Sequence, residues 1–77
     1  MELKLLERLK EAYETSSRNF NNFKEAIESV KWEHKFKADG EYYFIIGKLT
    51  ITVENLDPFE EKWKPTAIFN DGYVVEF

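Results

Sequence analysis

Few residues in this sequence could carry out chemistry, and they do not form a catalytic pattern. The 77 residues include no cysteine and a single histidine, His34. Nucleophilic catalysis needs a Ser, Cys or Thr beside a base, and zinc is held mainly by Cys and His. Because His34 alternates with Trp32 and Phe36, as in a strand, we expect a partly buried imidazole with a structural role. The sequence therefore predicts no catalytic residue and no metal site.

A cluster of carboxylates, Asp57, Glu60 and Glu61, is the remaining group that could supply a general acid and base. These residues also fit a helix start, because Asp57 precedes Pro58 and stands three positions before Glu60, as in a capping box. We predict a short helical turn over residues 58–63 instead of a catalytic cluster. The three glycines stand singly in expected turns, so no phosphate-binding loop is predicted. An enzyme is the least favoured class, and we expect no cofactor.

The first part of the chain carries a helical pattern. Apolar residues recur at spacings of three and four, interrupted only at Ser16; they are Leu6, Leu9, Tyr13, Phe20, Phe23, Ile27 and Val30. This pattern predicts a long amphipathic helix over residues 2–31. Ser16, Ser17 and Asn19 prefer helix caps to helix interiors, whereas the continuous phase favours one helix. The sequence therefore leaves open whether the helix breaks near residues 16–19.

After Lys31 the apolar period changes to two, which is typical of strands with one polar face. Turn signals stand at Asp39-Gly40, at Gly47-Lys48 and at residues 70–72, with short apolar segments between them. We predict an antiparallel meander of about five strands with the helix packed on one face, which is an α+β fold. The expected organisation is a single domain, helical over 2–31 and β-rich over 32–77.

Composition indicates a folded protein and bears on its expected location. Hydrophobic residues make up 43% and charged residues 34% of the chain, which excludes a disordered or low-complexity sequence. The longest apolar run, residues 42–46, is far shorter than the roughly 20 residues that span a bilayer. Without cysteines or an apolar signal segment, we expect a cytoplasmic protein with no membrane contact.

The two halves of the chain differ in charge. Residues 1–38 hold eight basic and seven acidic groups, a net charge of +1, whereas residues 39–77 hold three basic and eight acidic groups, a net charge of −5. The acidic half would attract a protein with a basic surface. A modest excess of acidic groups is also what keeps a small protein soluble.

The predicted sheet has more apolar residues than one covered face needs. The strand alternation places Trp32 and Phe36 on the face under the helix, together with Tyr42, Phe44, Ile46, Leu49, Ile51 and Val53. The other face then collects Tyr43, Ile45, Ile68 and Val74, and an exposed apolar patch of this kind marks a contact surface. Folding of residues 59–63 beneath the sheet would cover the patch instead. A register slip of one residue would exchange the two faces.

These features favour a non-enzymatic interaction domain, an inhibitor or antagonist that covers a site on a partner protein. Inhibitors, antitoxins and virus-encoded antagonists are often small acidic domains rich in aromatic residues, so this expectation rests on analogy. The candidate contact residues combine aromatic anchors with acidic neighbours and are Tyr43, Ile45, Phe59, Glu60, Glu61 and Trp63.

Two other classes stay open. A homodimeric assembly protein would use the start of the helix, where the dimer candidates are Leu3, Leu5, Leu6 and Leu9. A single-stranded nucleic-acid binder would use residues 31–37, where aromatic and basic residues alternate. Alternation places the lysines on the face opposite the aromatic rings, so nucleic-acid binding is the least favoured of the three.

Overall fold

The computed structural model describes residues 2–55 and 62–77, and it confirms the α+β class. Its elements are two helices, α1 (Glu2–Thr15) and α2 (Phe20–Glu28), followed by five strands. The chain divides into two compact units, Met1–Lys31 and Trp32–Phe77. This boundary falls where the apolar period changes from helical to extended.

The helical unit contains two helices in place of one continuous helix. α1 ends in a Schellman motif, in which the Arg18 N–H donates to the Tyr13 carbonyl at 2.9 Å and the Ser17 N–H donates to the Glu14 carbonyl at 3.0 Å. This closure requires left-handed backbone, and φ is 58° at Ser17 and 56° at Arg18. Neither residue is glycine, which adopts that region without steric strain.

Asn19 then starts α2 as its N-cap. The Asn19 side-chain oxygen accepts hydrogen bonds from the backbone N–H groups of Asn21 at 2.9 Å and Asn22 at 3.4 Å. Such a cap satisfies amide donors that the first helical turn leaves without partners. The preference of Ser and Asn for caps therefore prevails over the continuous apolar phase, and the helix breaks at 16–19.

The two helices meet through aromatic side chains. The rings of Tyr13 and Phe23 lie edge to face with centroids 5.2 Å apart, and the Arg18 guanidinium lies 5.4 Å from the centre of the Tyr13 ring. The apolar stripe is buried in both helices; its buried members are Leu6, Leu9, Tyr13, Phe20, Phe23 and Ile27.

The second unit is an antiparallel meander, as predicted. Its strands are β1 (His34–Ala38), β2 (Glu41–Ile46), β3 (Leu49–Asn55), β4 (Trp63–Phe69) and β5 (Val74–Glu76). Their order in the sheet is the order in the chain. Asp39 and Gly40, with φ of 53° and 79°, form the two-residue turn between β1 and β2. The mirror-image turn that suits a twisted hairpin needs positive φ at both positions, and Asp-Gly meets that need.

The two tryptophans lie in other elements than predicted. β1 begins at His34, so Trp32 precedes the strand, and the Trp32 ring contacts Phe44 at 5.5 Å. β4 begins at Trp63, which removes Trp63 from the predicted helical turn; the rest of that turn, apart from Lys62, lies outside the described residues. Pro65 also belongs to β4. The pairing of β4 with β5 starts only at Thr66, so Pro65 lies beyond the end of that ladder.

Candidate interaction surface

The strand register divides the sheet into a buried face and a partly exposed one. On the buried face Phe44 lies opposite Ile51, and Ile51 lies opposite Ala67. All three side chains are 2% exposed or less. We call the other side the Tyr43 face and define its apolar part by Phe36, Tyr43, Ile45, Ile68 and Val74. All five are half-buried or exposed.

A row of small apolar and hydroxyl side chains crosses the Tyr43 face. Ile45 lies opposite Thr50, Thr50 opposite Ile68, and Ile68 opposite Val74. Directly opposed side chains in a sheet are nearest neighbours on one face. Val74 at the end of the row is 54% exposed. The predicted grouping of Tyr43, Ile45, Ile68 and Val74 on one face is therefore confirmed.

Two aromatic rings form the next part of this surface. Phe36 on β1 lies opposite Tyr43 on β2, and their rings stack with centroids 5.0 Å apart and planes inclined by 11°. The Phe36 side chain is 47% exposed. Cross-strand contact of this kind restrains both rings.

The predicted face of Phe36 is wrong. Strand alternation grouped Phe36 with Trp32, Tyr42 and Phe44, whereas the register puts Lys35 opposite Phe44 and Phe36 opposite Tyr43. The two-residue Asp39-Gly40 turn contains the signal that would have found this, because it pairs the residues at equal distances on either side of the turn.

The Tyr43 face is acidic at the end next to the β1–β2 turn. The Tyr43 hydroxyl donates a hydrogen bond of 3.0 Å to a carboxylate oxygen of Glu41. That hydrogen bond, with a smaller contribution from desolvation, raises the pKa of Tyr43 above its ordinary value. The negative charges of Glu41, Asp39 and Glu54 raise the same pKa further. These carboxylates make the surroundings of the ring negatively charged.

Cations only partly offset this charge. Lys64 lies opposite Glu54, and its ammonium group is 3.4 Å from a carboxylate oxygen of Glu76. Among the described strand residues, the face thus holds three carboxylates, Glu41, Glu54 and Glu76, against one ammonium group, Lys64.

The lysines of β1 project to the other side of the sheet. Lys35 lies opposite Phe44 and Lys37 opposite Tyr42, where the Lys37 ammonium is 5.2 Å from the Tyr42 ring centre. The exposed ring of Phe36 therefore does not share a face with these cations. Binding of single-stranded nucleic acid needs an aromatic ring and a cation on one surface, and β1 does not place Phe36 beside its lysines in this way.

The other predicted site residues do not join Tyr43 and Ile45. Trp63 lies on the opposite face, with its ring 5.2 Å from Tyr42. The alternative prediction that residues up to Trp63 cover the Tyr43 face is therefore wrong for Trp63. Phe59, Glu60 and Glu61 lie outside the described residues. His34 lies opposite Ile45 and is exposed, which corrects the expected partly buried imidazole.

The four leucines proposed for a dimer separate into two pairs. Leu6 and Leu9 are 2% and 3% exposed, whereas Leu3 is 59% exposed and Leu5 is half-buried. Only Leu3 and Leu5 offer apolar surface at the start of α1. These two leucines are fewer than the five apolar residues that define the Tyr43 face.

Comparisons with protein-family models, with curated proteins and with solved structures found no match to this chain. Over residues 2–55 and 62–77, no helix combines the length and apolar character needed to cross a membrane. In the same part of the chain, no three His, Cys, Asp or Glu side chains come together as a metal-binding group.

Proposed function

We propose that the protein is a non-enzymatic interaction domain that acts as an inhibitor or antagonist, and that it covers a site on a partner protein with the Tyr43 face. The observation that carries the proposal is the stacked Phe36–Tyr43 pair, in which Phe36 is exposed and Tyr43 half-buried, beside the row from Ile45 to Val74. Aromatic rings in an apolar patch are typical anchors of protein interfaces.

The negative charge of the Tyr43 face indicates a partner with a basic surface. The carboxylates of Glu41 and Glu54, with Asp39 in the adjacent turn, lie at one end of the apolar patch. A partner with an apolar contact surface bordered by Lys or Arg would match both parts. A second copy would bring the same carboxylates to the interface, so charge favours a foreign basic protein over a homodimer through this face.

Photo-crosslinking tests the proposal. A benzophenone amino acid placed at position 36 should capture the partner in a host-cell extract, whereas the same group at position 73 should not. Tyr73 is a suitable control because it is aromatic and 64% exposed but lies in the turn between β4 and β5, outside the Tyr43 face.

The captured protein must then bind in purified form through this surface. Phe36→Ala should weaken binding at least about tenfold, or 1.4 kcal/mol, because hot-spot residues contribute this much or more. Glu54→Lys should slow association most at low salt, since a charge at the rim mainly affects the rate of encounter. Equal capture from both positions, or binding unaffected by Phe36→Ala, would refute the proposal.

A further inference from the structure

The apolar stripe of the helical unit keeps a single heptad phase through the turn that separates α1 from α2. With Leu6 as the first a position, the a positions are Leu6, Tyr13, Phe20 and Ile27, and the d positions are Leu9, Ser16, Phe23 and Val30. A turn that only joins two helices does not require this continuity. One straight helix through residues 16–19 would carry all eight side chains on the same side.

The ring contact between the two helices is centred on position 18. Tyr13 and Phe23 stand five residues before and five residues after it. By the same count Leu9 corresponds to Ile27, so this pair, like Tyr13 with Phe23, would join an a position to a d position. A second copy of α1 laid antiparallel on α2 would therefore find the same partners that α1 of the same chain finds.

The turn itself is strained and is also able to become helical. Ser17 and Arg18 hold the left-handed backbone with φ of 58° and 56°, a conformation that L-residues other than glycine adopt at a steric cost. Residues 16–19 contain neither proline nor glycine. A helix through this segment would relieve both strained residues, at the cost of the Asn19 cap.

From these three observations we infer that the protein forms an exchanged dimer, in which residues 2–28 straighten into one helix and α1 of each copy packs on α2 of the other. Contacts such as Tyr13–Phe23 are kept, but they join two chains instead of one. Exchange of identical elements gives a dimer at low cost for this reason. The inference does not depend on the Tyr43 face.

Electron-spin distance measurements distinguish the two forms. The chain has no cysteine, so Glu7→Cys with Glu28→Cys provides two labelling sites at exposed positions of α1 and α2. In a straight helix these sites are about 32 Å apart along the axis, at 1.5 Å per residue. In the paired helices the axes are only about 8–10 Å apart. Doubly labelled chains diluted in excess unlabelled protein report the distance within one chain.

Two substitutions shift the equilibrium in opposite directions. Ser17→Gly suits the left-handed turn and disfavours a helix, so it should weaken the dimer about tenfold, or 1.4 kcal/mol. Asn19→Ala removes the cap of α2 and favours the continuous helix, so it should strengthen the dimer by a similar factor. Asn22→Ala is the matched control, because it makes the same change at an exposed position of α2 that does not cap the helix.

Size-exclusion chromatography with light scattering, up to millimolar concentration, gives the dimer fraction of each variant. We expect a concentration-dependent dimer with the long distance within each chain, strongest in Asn19→Ala and weakest in Ser17→Gly. A dimer that shows only the short distance would overturn the inference, since the helical pair would then be intact. A monomer at every concentration, in Asn19→Ala as well as in the unaltered chain, would also overturn it.

Discussion

Two isoleucines on neighbouring strands provide a direct test of which sheet face is buried. Ile51 on β3 belongs to the buried face and has no exposed surface. Ile45 on β2 belongs to the Tyr43 face and is half-buried. Replacing each by alanine removes the same atoms from the same sheet, so the difference between the two variants reports only the surroundings.

The expected losses are well separated. Removing a fully buried isoleucine side chain to alanine costs about 2–5 kcal/mol, because the transfer free energy is lost and a cavity is left. Ile45 is already partly in contact with water, so Ile45→Ala should cost less than half of that amount. A domain of this length has a free energy of unfolding of about 4–12 kcal/mol, so Ile51→Ala removes a large share of it. Ile51→Val, at about 0.5–1.5 kcal/mol, covers the case in which the alanine variant does not fold.

Urea unfolding followed by circular dichroism measures both losses as changes in the free energy of unfolding. A loss for Ile51→Ala that is well above the loss for Ile45→Ala supports the strand register, and with it the exposure of the Tyr43 face. A loss at Ile45 equal to or larger than the loss at Ile51 would refute the reasoning, because a slip of one residue exchanges the two faces.

Three further outcomes follow from local geometry. Glu41→Gln should lower the pKa of Tyr43 toward its ordinary value in a spectroscopic titration, and an unchanged titration would contradict the hydrogen bond between the two side chains. In the unaltered chain the raised pKa stabilises the folded state at pH values below the ordinary pKa of the phenol. This stabilisation is lost as the pH rises through the raised pKa. Gly40→Ala should cost about 1 kcal/mol in urea unfolding because φ is +79° there, although no atom would contact the new methyl group; a neutral result would argue against the turn type. Glu14→Gln should change the free energy of unfolding by less than about 0.5 kcal/mol, because the ion pair with Arg18 is exposed on both sides; a larger loss would show that the pair has a role beyond the surface.

Much of the fold follows from local signals in the sequence. The change of apolar period at Lys31, the Asp39-Gly40 turn and the Gly47-Lys48 turn predict a helical segment followed by hairpins, and the structure has both. These signals are local because turn type depends on a few residues and periodicity on one face of one element. The apolar partners of the exposed face, Tyr43 and Ile45, were predictable for the same reason.

The helix break and the side of Phe36 needed a comparison between competing signals. At 16–19 the apolar phase indicated one helix and the capping residues indicated two, and neither propensity has a magnitude that decides the outcome from sequence alone. For Phe36, alternation with Trp32 suggested the buried face, whereas the length of the Asp39-Gly40 turn required the exposed one. Turn length is a geometric constraint and therefore prevails over hydrophobicity.

The carboxylates that surround Tyr43 all belong to the acidic half of the chain, but only the pairing of strands brings them together around one hydroxyl group. Asp39 lies in a turn, Glu41 starts β2 and Glu54 lies near the end of β3. Their combined effect on one hydroxyl group depends on the pairing of strands, and neither net charge nor a charge run along the sequence reports it.

The meander order of the sheet also has a consequence for how fast the protein folds. Each strand pairs only with strands adjacent to it in sequence, so no pairing has to wait for the closure of a long loop. Low contact order of this kind is associated with rapid folding, and an isolated hairpin forms in about 1–10 μs. The sheet can therefore grow outward from β3, whose two neighbours are both hairpin partners, with little time in which unpaired strand edges are available to other chains.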